Sequence, residues 1–493
     1  MAFAGFWLLH AGWAFAAPYN GPPDEMQHVI RAVGVVHGEL VAEPDPLRDW
    51  QQEVPKSLIR GWCFPTKVEV AANCDVEPGG DETTQRYQTT AGRYNPVYHL
   101  VTAWPLAFWP SWPGIMLTRL LTGAAMAALL ACAVVAAVRW TRHRALLAGL
   151  VVAVTPMTAH LGGSVNPNGI EIAAGVALFA ALIAVVHEQR EGVNRAAVAL
   201  AGVSASALVI PRFTGVLWLA VIVGVVLIPS SKLRLAELIR SRTVRIWSAV
   251  VVLATVAAVG WTFLVGTTET VGWDRHLGRM EILKTEVLDI WPKMGSQMIF
   301  VGGWAELFAP GLIYVAWTMA LGVFLAGALI FGRRSDRWRM LALFVGSFAP
   351  LILLEMASAN QIGWFNQGRY FLPGAVGLPL FAAHILAHRG IGAERLRAAT
   401  RLFAAVLLPI QLVCLVYTMD RWDSGLRALN PFNGSWRPPY GVALPIACVT
   451  AAIVVLFAMY WRYSRIPAAA TTSAPEEPAV AVTGHEPVSV SHG

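Results

Sequence analysis

Charge is what this sequence has little of. Asp, Glu, Lys and Arg make up 14% of its 493 residues, hydrophobic residues make up 56%, and the mean hydropathy is +0.54. Soluble globular domains carry about a quarter charged residues, so a soluble enzyme is excluded and the chain reads as an all-α polytopic membrane protein. A basic face is also missing. The net charge of +7 goes with Lys and Arg concentrated in one set of loops and nearly missing from the short loops 162–168 and 357–371, which reports membrane topology and leaves no nucleic-acid footprint. Cysteines number only five, which excludes a disulfide-dense scaffold. Cys63 and Cys74 share a long outer loop, where an oxidising exterior would let them pair, while Cys132, Cys414 and Cys448 lie in apolar segments as small hydrophobic residues. No positive n-region precedes the first apolar segment, so a retained helix is expected there in spite of the cleavage-like Ala14-Phe15-Ala16-Ala17.

What is abundant is apolar runs. About twelve transmembrane helices are expected, near 2–17, 114–138, 145–161, 169–187, 196–211, 213–229, 247–265, 309–331, 339–356, 372–388, 400–418 and 441–461. One set of loops holds Arg139, Arg142 and Arg144, then Lys232 to Arg245, Arg333 to Arg339, Arg389 to Arg401, and Arg462 with Arg465. That side is cytoplasmic. Both termini are then inside, and the organisation follows: a first transmembrane helix at 1–17, a large extracytoplasmic loop at 18–113, helices two to seven in 114–265, a second outer loop at 266–308, helices eight to twelve in 309–465, and a disordered cytoplasmic tail at 466–493.

The first outer loop carries twelve of the thirty acidic residues and is too long for a connector, so it is expected to be a folded cap. Its start, Pro22-Pro23-Asp24-Glu25-Met26-Gln27-His28, opens an amphipathic helix that ends near Gly38 and is expected to lie along the membrane interface. Asp24, His28 and Arg31 share one face at i, i+4 and i+7, with Glu25 beside His28. Such a face suits acid–base chemistry, although acids in a first turn also serve simply to complement the helix dipole. Asn73 to Thr90 is polar and Gly-rich and reads as mobile. Arg93-Tyr94 to His99, followed by Trp104, Phe108, Trp109 and Trp112, reads as a second interfacial helix, either a membrane anchor or a sugar-stacking surface. The second outer loop includes Trp273-Asp274-Arg275-His276 and Gly302-Gly303-Trp304-Ala305-Glu306.

Ionisable residues within or bordering the spans, namely Arg119, Glu171, Arg212, Glu355 and Arg369, all fall in the outer half. Such charges mark functional sites or mutual pairs, for instance Glu355 with Arg119 or Arg212. A one-sided set of arginines and carboxylates fits a substrate with an apolar tail and an anionic head. Arg369, Arg212 or Arg119 would hold its phosphate, and a carboxylate would take a proton from an acceptor hydroxyl. That chemistry is glycosyl transfer from a lipid-phosphate sugar with inversion at the anomeric carbon. The i, i+4 spacing of Asp24 and His28 leaves a divalent metal open, but two ligands do not make a site and no cofactor is assigned.

The blocks Pro22 to His28, Ser164-Val165-Asn166-Pro167-Asn168-Gly169, Gly303-Trp304 and Gln367-Gly368-Arg369-Tyr370-Phe371-Leu372-Pro373 resemble, in order, those of a bacterial family of predicted polytopic membrane proteins of unknown function. That family is in turn similar to GT-C glycosyltransferases, which use polyprenyl-phosphate-linked sugars. The resemblance implies a GT-C-like fold in the bacterial plasma membrane, with Asp24 as base and Glu25 and His28 as its neighbours. Arg369 is then the phosphate anchor, with Tyr370, Arg212, Arg119, Asn168 and Glu355 around the substrate. Asn168 stands where that family's pattern would place an acid. The partners implied are a polyprenyl-phosphate sugar and a glycan or lipid acceptor of the cell envelope. No soluble outer domain follows the last span, which favours a small or lipid-bound acceptor.

Two other readings remain open. A flippase or transporter of lipid-linked glycans would hold phosphate with the same arginines, but would be expected to show midplane polar groups, broken helices and inverted repeats, none of which is evident. A non-catalytic membrane scaffold would leave Asp24 and Arg369 replaceable.

Overall fold

The computed structural model describes residues 1–45, 50–81, 83–188, 192–227, 230–267, 276–426 and 434–465. The tail at 466–493 and Trp273-Asp274-Arg275 lie outside the described residues. In chain order the α-helices are α1 (Ala2–Ala16), α2 (Glu25–Val36), α3 (Val97–Thr102), α4 (Trp112–Trp140), α5 (Leu146–Ala153), α6 (Pro156–Gly162), α7 (Pro167–Val186), α8 (Arg195–Val209), α9 (Thr214–Leu227), α10 (Lys232–Arg240), α11 (Arg242–Val265), α12 (Arg279–Thr285), α13 (Trp291–Ile299), α14 (Gly311–Phe331), α15 (Arg334–Ile362), α16 (Gly368–Ala375), α17 (Gly377–His388), α18 (Ala393–Ser424) and α19 (Ala443–Tyr463).

Among the described residues eight helices are long and apolar enough to cross a membrane, or nine if the bent α5–α6 pair is one span. The expected twelve apolar segments all become helices, but α1, α8 and α9 hold only 15, 15 and 14 residues. At 1.5 Å per residue these reach about 21–23 Å, short of a hydrocarbon core of about 30 Å.

Burial separates the centre from the periphery. The apolar windows of α7 and of the continuous 368–388 stretch are each 94% buried, against 17% for α11 and 28% for α14, whose bare aliphatic faces suit lipid. Small residues let the two central helices meet. A Cβ on Gly175 of α7 would strike the Pro373 carbonyl, and one on Gly377 would strike the Phe179 ring. Around this pair, α7 also packs on α4 and α8, α17 on α5 and α14, and α1 on α4 and α19.

Sequence reading treats 145–161 as one unbroken span, but the structure bends it by 72° between α5 and α6. Pro156 has no N–H to continue the ladder, and Thr155 caps the new helix through Thr158 N. Carbonyls near the break find side-chain donors: Gln411 Nε2 bonds Val154 O at 3.1 Å and Trp317 Nε1 bonds Val152 O at 2.9 Å.

The cap departs from the all-α expectation. Glu43–Pro44, Trp50–Pro55 and Thr84–Thr89 form strands β1 to β3 of a small antiparallel sheet in that order, Trp50 opposite Thr89 and Pro55 opposite Thr84. Strand β3 falls within the stretch read as mobile. Nearly all of helix α2 is buried in protein, its N-terminal turn against the bundle and the rest against β2, β3 and α3. Its polar face is covered because the sheet folds over it. Helix α2 ends before Gly38, which adopts φ +100°. Cys63 and Cys74 form a disulfide with Cα atoms 6.2 Å apart. Arg421 of α18 clamps the loop between those cysteines, donating to the carbonyls of Phe64, Lys67 and Val70 at 2.7–3.0 Å. The second outer loop is joined to the first by Trp304 Nε1 on Asn20 O at 2.8 Å.

Candidate functional site

The turn between α1 and α2 decides which of two adjacent acids faces outward. Asp24 adopts φ 61°, the left-handed region that Asp tolerates better than most side chains, and its carboxylate does not cap α2. It is thereby turned to Arg369, with which it forms an ion pair whose side chains are 31% and 3% exposed respectively. Glu25 points the opposite way, into the bundle.

Glu25 and Arg119 are both fully buried. Arg119 donates Nε and Nη2 to the two carboxylate oxygens at 2.7 and 2.5 Å, Nη1 to Ala14 O and Ala17 O at 3.0 and 2.8 Å, and Nη2 to Pro18 O at 2.8 Å. All five guanidinium protons are spent, and Val165 N occupies Glu25 Oε1 as well, at 3.1 Å. The placement of Glu25 among catalytic residues and Arg119 among substrate ligands is therefore corrected. They are a structural clasp between α1, α2 and α4. Arg31 gives its Nη groups to the carbonyls of Glu39, Leu40 and Tyr94 at 2.7–3.3 Å and keeps a buried Nε without a partner, but among the described residues it forms no ion pair with a carboxylate.

Arg369 is different. Its Nη2 donates to Asp24 and, at 3.2 Å, to Tyr370 Oη, but its buried Nε has no partner. It lines a small, partly open pocket together with Pro23, Gln297, Gly303, Ala305 and Gln367. Gln297 of α13 fixes the start of α16 by accepting from Gly368 N at 2.7 Å. The Tyr370 ring lies 5.1 Å from the Arg369 guanidinium and 5.0 Å from that of Arg212, so two cations share one aromatic ring. Arg212 is paired with Glu171, which also accepts from Asn168 Nδ2 at 3.3 Å. Asn168 is buried in that turn and acts by orienting Glu171.

His28 stacks on Tyr94 at 5.4 Å and on His99 at 5.9 Å. Burial pushes its pKa down to about 3; Asp24 draws it upward, but Arg212 and Arg369 add to the depression. It is neutral at pH 7 and buried, whereas the Asp24 carboxylate is partly exposed. Asp24 and His28 bring no third ligand with them, and among the described residues the one cluster with metal-ligand geometry lies elsewhere.

Glu355 binds the loop before α16, accepting from the backbone N–H groups of Phe365 and of Asn366, the latter at 2.5 Å. It meets neither Arg119 nor Arg212, both of which are paired elsewhere. Its neighbour is Glu286, on a π-helical turn at Glu286–Ile290. Burial, then the hydrogen bond and charge of Glu355, push the Glu286 carboxyl up to about 8.

A family profile described as a predicted membrane protein, DUF2142, matches residues 6–378. The chain belongs to that family. No curated protein matches it. Its fold is similar to two crystal structures of ArnT from Cupriavidus metallidurans. One is the apo state, at 12% identity and TM-score 0.42, covering 92% of this chain and 75% of that one; the other is bound to undecaprenyl phosphate, at 13% identity and TM-score 0.43, covering 94% and 76%.

In this DUF2142 chain the structure brings together Asp24, His28, Arg369, Tyr370 and Arg212 from the expected residues, and ties Glu355 and Asn168 to positioning roles. Sequence reading missed Tyr94 and Gln297. Tyr94 carried a faint signal in the aromatic run, while Gln297 carried none, because α13 meets α16 only through the tertiary fold.

Proposed function

We propose that this protein is a membrane glycosyltransferase of GT-C type that transfers a sugar from a polyprenyl-phosphate donor to a glycan or lipid acceptor at the outer face of the bacterial plasma membrane. The observation that carries the reading is the Asp24–Arg369 pair at the cavity: an accessible carboxylate held against an arginine that still has a buried, unspent N–H. The donor phosphate displaces Asp24 from Arg369 and takes up that N–H, with Tyr370 and Arg212 alongside. Asp24, released, removes the proton of the acceptor hydroxyl as its oxygen bonds to the anomeric carbon. The bond from that carbon to the phosphate oxygen breaks, and the electron pair leaves with the polyprenyl phosphate, where Arg369 stabilises the growing charge. One displacement gives inversion.

The test uses protein purified in lipid with a panel of polyprenyl-phosphate sugars, following release of polyprenyl phosphate by mass spectrometry. Release by the wild type and none by Asp24→Asn, at equal protein level, is expected. Absence of release from every donor, with lipid crossing the bilayer instead, would replace this reading by the flippase one. The bent α5–α6 pair is the observation that keeps that second reading in view.

A further inference from the structure

Glu188 lies just beyond α7, and His384 and His388 stand at i, i+4 on α17, at the end of the bundle remote from Arg369. Their donor atoms all lie within 4.8 Å of one another. His384 Nδ1 is 3.7 Å from Glu188 Oε1, and His388 Nε2 is 3.9 Å from Oε2. These separations are too long for hydrogen bonds. They are close to the roughly 3.4 Å that separates ligands on a tetrahedral zinc with bonds of about 2.0–2.1 Å.

The proton positions point the same way. His388 Nδ1 lies 3.0 Å from His384 O, and since a carbonyl only accepts, Nδ1 carries the proton. In the neutral ring Nε2 is then a bare lone pair directed at a carboxylate. Glu188 Oε1 is buried without a hydrogen-bond partner, in a residue only 8% exposed. The bare Nε2 of His388 therefore faces the Glu188 carboxylate, whose Oε1 is unpartnered although the Arg142 backbone N–H also reaches this carboxylate, and a cation between the ring nitrogens and the carboxylate would engage all three side chains. The Nδ1–H···O=C bond of His388 is also the outer-shell contact that orients a metal-binding imidazole. Arg339, the nearby guanidinium, lies over the Phe381 ring and 3.9 Å from Asp336. His187 stacks on His384 at 5.4 Å but engages Val226 O through Nε2, and it stands beside the ligand set.

We propose that Glu188, His384 and His388 bind a zinc ion. Two imidazoles and one carboxylate suit Zn²⁺ and disfavour Mg²⁺ and Ca²⁺, which take oxygen ligands. Water completes the shell. The ion would join the far ends of α7 and α17, and their near ends hold the two halves of the anion site: α7 carries Glu171, the partner of Arg212, and α16, which leads into α17, carries Arg369. The site stands independently of the proposed sugar transfer.

The experiment uses full-length protein in detergent, stripped with a chelator, dialysed against Zn²⁺ and measured by mass spectrometry of metal content, with Co²⁺ absorption as a second probe. The wild type is expected to retain about one zinc per chain. Glu188→Gln and His388→Asn should each bind at least tenfold more weakly, while His37→Asn, in the cap, should bind as wild type does. Should a variant fail to fold, the wild-type melting temperature decides: it rises with Zn²⁺ and not with Mg²⁺ if the site exists. No zinc retained by the wild type, no such rise, or unchanged zinc in both folded variants overturns the proposal.

Discussion

Replacing Glu25 by leucine removes both carboxylate oxygens that hold Arg119 and leaves a cation with no exposure to water and only three carbonyls around it. Breaking a buried pair in this way costs about 3–5 kcal/mol, a large part of the roughly 5–15 kcal/mol that separates folded from unfolded proteins. Arg119→Met should cost a similar amount by stranding the carboxylate, whose remaining partner is Val165 N. The double variant Glu25→Leu/Arg119→Met should recover most of the loss, because replacing both members of a buried ion pair with apolar groups is often close to neutral. The assay is a double-mutant cycle on detergent-solubilised protein, with melting temperature read by fluorescence-detected size exclusion. With single losses of about 3–5 kcal/mol each and a double variant close to neutral, the coupling is expected to be about 5 kcal/mol or more. If the two losses simply add, Glu25 and Arg119 do not act as a unit, and the case for removing them from the substrate site falls.

Glu286 gives a pH dependence of definite sign. Its folded pKa, about 8, lies above the ordinary 4.5, so the folded state holds a proton that the unfolded state releases. The stability this contributes is complete below about pH 4.5 and is lost as pH rises to about 8; melting curves should show that decline, and Glu286→Gln should flatten it. Arg369→Lys keeps the charge but lacks the planar fork that presents two N–H groups side by side to a phosphate, so polyprenyl phosphate should bind about tenfold or more weakly, the worth of a charge-assisted hydrogen bond. Unchanged binding, measured by native mass spectrometry, would mean that charge alone holds the head group.

The membrane class and the positions of the apolar helices were legible because a bilayer imposes long apolar runs that nothing else in a chain requires. Span length was less so. An alanine- and valine-rich stretch such as 196–211 looks adequate until the helix stops at Val209. The block around Arg369 and the turn at Asp24 could be found from sequence, since both place ionisable groups against apolar ones. Which acid of Asp24-Glu25 is the accessible one could not. That depends on a backbone angle at Asp24 and on an arginine 94 residues further along. The cap sheet escaped for another reason: β3 is a polar strand with partly exposed faces, so its sequence, Thr-Gln-Arg-Tyr-Gln-Thr, carries no hydrophobic alternation. His384 and His388 show the i, i+4 spacing openly, but Glu188 joins them only through the packing of α7 on α17.

Donor accounting assigns different roles to three arginines that look alike in sequence. Arg119 has no proton to offer, and its partner cannot leave without exposing a buried charge. Arg212 is bound to a carboxylate that Asn168 holds in place, so it can lend its field to a neighbour but is ill placed to exchange partners. Arg369 alone of the three combines an unspent N–H with a counter-ion that reaches solvent. An anion entering the cavity therefore meets one exchangeable partner, Asp24, and displacing it does two things at once: it fills Arg369 and frees a carboxylate beside the newly bound head group. On the proposed reaction, the base is withheld by its own ion pair until the donor phosphate arrives, which keeps Asp24 from accepting a proton from water or an acceptor hydroxyl before there is a sugar to transfer.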